Sequence, residues 1–439
     1  MKHPRRVVVT GFGLVSPLGN TEDELATNVF AGKSGIKQFV GPYLDKLNCK
    51  VAAQADFDPA LYFDKKSDYS ILDRVGQMAL HASKEAVKHA QLDTENLNKL
   101  RTGVYVGTGM GGIHSVEDGY QTLFVEGENR LKPYTVLMCM YNSPAAAIAT
   151  HFSISGPNLT FSTACSSSAV AIGQAMKDIR YGEIDVAFAG GTDAILAYAS
   201  IKSWEAIRTL AEEDKEDISK SCKPFSANRS GLVIGEGAAT LILEELSHAQ
   251  ARGAHIYAEI IGYGAANDFK HVAVPSVEGQ AAAMQKALDD SGLNPQLIQY
   301  INAHGTGTKF NDETETNAIK QIFGDHAYRL AVSSTKSMHG HLMGAAGVLE
   351  SIITLLGMQR NELPPTINLD QPDPKCDLNN VPNQSQKVDN LEYAMSNSFA
   401  FGGTGATLIF KKSVTWKHTT QHKANHNADN QGNGQTSVS

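Results

Sequence analysis

The sequence predicts an α/β protein, and three observations carry that reading. Short β-branched and apolar runs alternate with longer stretches of helical periodicity along most of the chain. Many of the short runs end in glycine or a small polar residue, as strands do where they turn into a following element. The composition, 42% hydrophobic and 19% charged over 439 residues, belongs to a large folded protein able to bury a sizeable core.

The first strand is expected at 6–10, followed by a turn and a helix at about 21–31. Thr21 and Glu24 have capping-box spacing, and Gly32 stands where a left-handed residue ends a helix. Further strands are expected at 104–107, 159–162, 186–189, 239–243, 258–261, 298–303 and 330–333. An internal echo sets VVVTGFG (7–13) beside AEIIGYG (258–264) and VYVGTG (104–109) beside INAHGTG (301–307), which suggests two halves of similar build. The organisation expected is an N-terminal half at 1–255, a C-terminal half at 256–411 and a polar tail at 412–439. That tail is rich in Asn, Gln, Thr, His and Gly and is expected to be disordered, and its His418, His422 and His426 are too irregularly spaced for a metal site.

Net charge is −8, from 38 basic and 46 acidic residues, so no long-range positive field argues for nucleic acid or an anionic membrane. An acidic partner would have to dock on a local basic patch. The five cysteines form no CxxC pair and are odd in number, which suits a reducing compartment. No signal peptide precedes the first strand and no apolar run reaches the ~18 residues of a membrane span, so the expected location is cytoplasmic.

Three segments carry chemistry. Thr163-Ala164-Cys165-Ser166-Ser167-Ser168-Ala169 follows the run NLTFS and opens a long apolar helix. That arrangement puts Cys165 at a helix N-terminus, where unpaired N–H groups favour a thiolate and can hold an oxyanion. The bland alternative is a small buried residue packing under the helix; the small neighbours instead leave room for a substrate. Ile301-Asn302-Ala303-His304-Gly305-Thr306-Gly307-Thr308 runs from a strand into a glycine-flanked loop, where His304 is either a hydrogen-bond donor in a cleft or a structural histidine. The stretch STKSMHGHLMGAAG (334–347) carries Lys336 at a polar strand end and His341 at the start of a small-residue helix. One Cys and two His at element ends in separate segments look like one convergent site with no metal.

These segments resemble the TAC-S, HGTGT and STKS-GH-GAAG motifs of the elongating β-ketoacyl-(acyl-carrier-protein) synthases. KPFSANRSGLVIGEG (223–237), PPTIN (364–368) and NSFAFGGT (397–404) agree in order, and the resemblance covers about 5–412. It implies a thiolase-like five-layer α-β-α-β-α sandwich of two related halves, usually a homodimer. It implies that Cys165 takes an acyl group from a carrier-protein thioester, that malonyl-carrier protein then loses CO₂, and that the enolate attacks the acyl-cysteine. His304 and His341 would stabilise the enolate, and the N–H groups of Cys165 and Phe401 would form an oxyanion hole. By the same resemblance Lys336 and Glu350 support the site, Thr306 and Thr308 bind the pantetheine arm, Met110 lines the far end of the acyl pocket, and Phe401 is a gate beside Ala400. No cofactor is implied beyond the phosphopantetheine that the acyl-carrier protein brings.

Relatives with other activities fit less well: a thiolase would want a second active cysteine, and an initiating ketosynthase an Asn in place of one His. A non-catalytic chain-length subunit of a heterodimer generally lacks the nucleophile, and a pure carrier-binding module would not need the Cys-His-His set. Three departures from the family pattern bear on substrate choice. Ala400 replaces a glycine and should stiffen the loop; Gly405 replaces an Asn that ties the segment down; and the stretch 63–74 keeps Lys65, Lys66 and Arg74 as a carrier-docking patch but interleaves Asp64, Asp68 and Asp73. A specialised polyene or polyketide pathway stands beside fatty-acid elongation.

Overall fold

The computed structural model of the chain describes residues 4–413, so the expected tail lies outside the described residues except for Lys412, which closes the last strand, and Ser413. Ten strands of one sheet carry the architecture: β1 (Val7–Val15), β2 (Thr102–Gly107), β3 (Asn158–Phe161), β4 (Val186–Asp193), β5 (Gly237–Glu245), β6 (Ala258–Asn267), β7 (Tyr300–Asn302), β8 (Ala331–Ser333), β9 (Tyr393–Phe399) and β10 (Thr404–Lys412). Their order is β8-β7-β9-β10-β6-β1-β5-β4-β2-β3. The β9–β10 hairpin is absent from the sequence expectation, because NSFAFGGTG carries too many small and polar residues to read as strand.

The sheet is two five-stranded sheets joined edge to edge. The joint between β1 and β6 consists of two residue pairs, Val8 with Glu259 and Val9 with Ala258. On one side of it the order is β3-β2-β4-β5-β1, and on the other β8-β7-β9-β10-β6, the same arrangement displaced by five strands. Strand directions repeat too: β2 is parallel to β3 and β4, β7 to β8 and β9, and the remaining neighbours are antiparallel. Both sequence echoes fall on strands equivalent under this repeat.

The first echo has a steric cause. A Cβ on Gly13 would lie 2.2 Å from the Ala82 carbonyl, and one on Gly264 would lie 2.1 Å from that of Ala283. These carbonyls belong to α2 (Arg74–His89) and α5 (Val277–Ser291), which cross β1 and β6 on the outer faces. Only glycine allows so close an approach of helix backbone to strand.

The described helices complete five layers. α1 (Glu22–Phe30) lies at the side, and its Thr21 caps the N-terminus through the Glu24 amide at 3.3 Å. The Glu24 carboxylate reaches back to the Asn20 amide rather than to that of Thr21, so the expected box closes one residue early. Gly32 does take a positive φ, +64°. α2 and α3 (Ser143–His151) cover one outer face; α5 and α6 (Lys309–Phe323) cover the other. Between the sheets lie α4 (Ser167–Tyr181) and α7 (Ala346–Arg360), which pack on each other and on strands of both halves. α7 is buried from Ala346 to Gln359, which is why it is apolar or small on nearly every face. The largest apolar cluster surrounds these two helices.

Candidate active site

The two central helices present their N-termini to the same place. β3 ends at Phe161, Ala164 turns the chain with a φ of +50°, and Cys165 lies in a single 3-10 turn leading into α4. In the other half Met343 makes the equivalent turn at φ +48° before α7. Non-glycine residues in this conformation are strained.

Cys165 is 6% exposed and packs in an apolar cluster with Ile195, Leu196, Ile201, Ile234 and Met343. The sulfur sits on a mostly apolar floor. Burial pushes its thiol up to about 12, against the opposing pull of Lys336 and of the Phe401 and Cys165 N–H groups. Burial thus favours the thiol over the thiolate that the helix N-terminus alone would favour.

His304 follows β7 in a loop opened by Gly305 and Gly307, both at positive φ, and His341 follows the short helix Lys336–His339. The Cys165 sulfur and nitrogens of both rings all lie within 4.8 Å of one another. The imidazoles meet edge to face, with centroids 5.4 Å apart, and Phe399 backs His304 at 6.0 Å. Both rings are buried and held well below the usual histidine range, first by burial and then by the charge of Lys336, so both are neutral. His341 Nδ1 accepts the Met343 N–H at 3.2 Å, which puts the ring proton on Nε2. That Nε2, and Nδ1 of His304, have no partner among the described residues. Two neutral rings beside a thiol can hydrogen-bond an oxygen that gains negative charge.

Lys336 is fully buried and its ammonium bonds Glu350, itself buried on α7. Three further carboxylates escaped sequence reasoning. Glu315 on α6 accepts the N–H groups of His304 at 2.9 Å and Gly305 at 2.8 Å, and Asn397 of β9 at 3.2 Å. Asp312 accepts from Phe225 and Gly307. Asp193, at the end of β4, accepts from Thr108, Gly109, Met110 and Gly344. Their partners are mainly backbone N–H groups from distant segments, which leave no motif. The one available signal is the acid pair at 312 and 315, three apart on a single helix face.

A cleft of about 770 Å³, including its open mouth, reaches Cys165, His304 and His341. Thr306 and Thr308 line it, their hydroxyls 2.9 Å apart, together with Phe399, Ala400 and Phe401. Phe401 stacks on Trp204, centroids 6.0 Å apart. Met110 lies in the apolar cluster around Cys165, together with Ala400 and Trp204. Ala400 keeps an ordinary negative φ, so its methyl group fits without strain. Gly405 pairs with Ala266 and Phe399 inside the sheet, where a Cβ would come within 3.1 Å of the Phe399 ring. The segment is tied down instead by Asn397, which bonds Thr407 and Glu315.

The expected docking patch divides. Lys65 and Lys66 are exposed. Arg74 is not part of such a patch: its guanidinium grips Glu236 with two bonds of 2.7 and 2.9 Å, and also bonds the Phe57 and Ala55 carbonyls. Glu236 is buried, so Arg74 neutralises an interior charge.

Comparison with known proteins defines the class. Residues 4–249 match the family Beta-ketoacyl synthase, N-terminal domain, and residues 257–370 match Beta-ketoacyl synthase, C-terminal domain. The chain belongs to the β-ketoacyl synthase family. It is 41% identical to 3-oxoacyl-[acyl-carrier-protein] synthase 2 of Coxiella burnetii (strain RSA 493 / Nine Mile phase I) over 93% of this chain and 99% of that one. It is 42% identical to nodulation protein E of Rhizobium meliloti (strain 1021) over 93% and 99%. Among solved structures it is similar to a type II PKS ketosynthase in complex with its acyl-carrier protein and bound to the hexaketide, with TM-score 0.85, 33% identity and coverage of 93% of this chain and 100% of that one.

Proposed function

We propose that this protein is a β-ketoacyl-(acyl-carrier-protein) synthase that lengthens an acyl chain by two carbons, with Cys165 as nucleophile and His304 and His341 as the donors of the malonyl half-reaction. The observation that carries this reading is the cluster of one thiol and two neutral imidazoles within 4.8 Å at the floor of a single cleft. The Cys165 sulfur attacks the acyl thioester, the acyl group moves to sulfur, and the departing pantetheine thiol takes the proton. The oxyanion of that step faces the N–H groups of Cys165 and Phe401. Malonyl thioester then enters, its carboxylate leaves as CO₂, and the electron pair stays as an enolate whose oxygen accepts from His341 Nε2–H and from His304. The enolate carbon attacks the acyl carbonyl and the Cys165 sulfur leaves.

A buried, largely apolar site suits this chemistry, because donors aimed at a developing charge act more strongly where water is excluded. Burial keeps both rings neutral, and Lys336 adds to this without needing to touch substrate. Thr306 and Thr308 stand along the path of the pantetheine arm, which the acyl-carrier protein supplies, so the protein needs no resident cofactor. A chain-length subunit without catalysis is disfavoured, since it has no use for the thiol and two donors together.

The carrier is expected on Lys65 and Lys66, and reversing both charges should weaken its binding and flatten the salt dependence. A homodimer is proposed through the exposed Phe124, Val125, Val136 and Leu137 and the one-sided edge strand β3, whose Asn158 and Leu159 are exposed in the single chain. Light scattering that gives a monomer would contradict it.

The half-reactions separate the roles. His304→Ala and His341→Ala should each cut CO₂ release from malonyl thioester by about 10²-fold or more while reducing Cys165 acylation far less. Equal small losses in both steps would make the histidines structural.

A further inference from the structure

Asp193 has no part in the chemistry above, yet it is fully buried and touches both arms of the site. Its Oδ1 accepts from Thr108 Oγ1 and the Met110 N–H, each at 3.1 Å; its Oδ2 accepts from the Gly109 N–H at 2.9 Å and the Gly344 N–H at 2.5 Å. Thr108, Gly109 and Met110 form the segment after β2, and Met110 packs against the apolar cluster that holds Cys165. Gly344 belongs to the turn before α7, and the residue before it, Met343, donates the N–H that fixes the proton of His341 on Nε2. Two segments some 230 positions apart in sequence thus share one carboxylate.

Nothing cushions this joint. A Cβ on Gly344 would fall 2.6 Å from Asp193 Oδ2 and 2.7 Å from the Gly109 nitrogen, and one on Gly109 would fall 3.0 Å from the same oxygen. Thr108 tightens the pocket side further, since its hydroxyl also accepts the Gly111 N–H at 3.2 Å. Met343 holds a positive φ of 48°, so the turn is strained and sensitive to a small shift of its neighbour. Packed elements without slack pass displacement on rather than absorb it.

We propose that Asp193 is a positioning residue that couples the Thr108–Gly109–Met110 wall of the acyl pocket to the Met343–Gly344 turn, so that the length of chain on Cys165 is felt at His341. This rests on the function proposed above. In the coupled enzyme an acyl chain that presses on Met110 shifts the shared carboxylate, and with it the ring that serves the malonyl half-reaction.

The test alkylates Cys165 with N-alkyl iodoacetamides of increasing chain length and measures CO₂ release from malonyl pantetheine, together with thermal melting of each protein. In the wild type, CO₂ release should vary with alkyl length by about fivefold or more, the size of an ordinary coupling between sites. Asp193→Asn keeps the shape but turns an amide NH₂ toward two N–H donors, and it should flatten that dependence. Thr108→Val, which removes one bond on the pocket side only, should flatten it in part. Retention of the full dependence in both variants, a uniform loss of rate at every length, or a wild type indifferent to length would each overturn the coupling. A wild type that resists alkylation, or releases no CO₂ at any length, would contradict the proposed function itself and remove the ground for the coupling with it.

Discussion

Lys336 works from inside the protein rather than from the cleft. Its charge depresses the basicity of His304 and His341 and favours ionisation of Cys165, while Glu350 balances it within the core. Burial raises the Glu350 carboxyl, and the lysine pulls it back toward ionisation. Removing one member of such a pair leaves a buried group without its partner, so Lys336→Ala should destabilise by about 3–5 kcal/mol. The double change Lys336→Met, Glu350→Leu should recover most of that in denaturant unfolding but not the activity. Full activity in a stable double variant would show that the charge is dispensable. Arg74 obeys the same logic: in the sequence it reads as one more cation beside Lys65 and Lys66, and only the fold reveals Glu236 beneath it. Motifs exposed Cys165, His304, His341 and Lys336 because the chemistry fixes their neighbours. Glu315 and Asp193 stayed hidden, because a side chain that binds backbone N–H groups constrains the fold of its partners and not their identity.

Elements explain which parts of the architecture were legible. β1, β2, β4, β5 and β6 are β-branched and apolar and were readable from pattern. The β9–β10 hairpin was not, since Ser396, Asn397 and Ser398 set three small or polar residues in a row in β9 and Gly402 and Gly403 make the turn. That hairpin carries Ala400 and Phe401 on its connection, against Trp204 and the cluster that holds Met110 and Cys165. Chain-length control should therefore be divided between the connection and the Met110 segment. Met110→Trp adds volume to packed surroundings and should stop acylation above a threshold length while sparing short chains. Ala400→Gly should broaden the range, because glycine frees the connection. Acylation rates across a chain-length series check both, and identical profiles for the two variants and the wild type would refute the pocket assignment.

The whole molecule is a repeat in which the equivalent inner helices α4 and α7 meet, one bringing Cys165 and the other the turn that fixes His341. Its pH response follows from what that meeting buries. A free histidine takes up a proton below about pH 6.5, whereas His341 in the fold stays neutral well below that. Below pH 6.5 the unfolded chain therefore binds a proton that the folded chain refuses, and stability falls as pH falls. Asp193, raised to about 6 by burial, acts oppositely, since between its ordinary range and pH 6 the fold holds the extra proton. The histidine contribution is isolated by difference: the stability of His341→Ala relative to wild type should rise by up to about 1.4 kcal/mol per pH unit below pH 6. A pH-independent difference would mean that His341 titrates freely in the fold.

The central claim is that one residue carries the chain while two others open the malonyl unit. Peptide mass spectrometry of the His304→Ala enzyme, after exposure to acyl-carrier and malonyl-carrier thioesters together, tests it most directly. The account predicts the acyl mass retained on the peptide containing Cys165 in this variant, unextended, and cleared from the same peptide in wild type. An acyl group found on another residue, or a Cys165 peptide that never carries one, would contradict it.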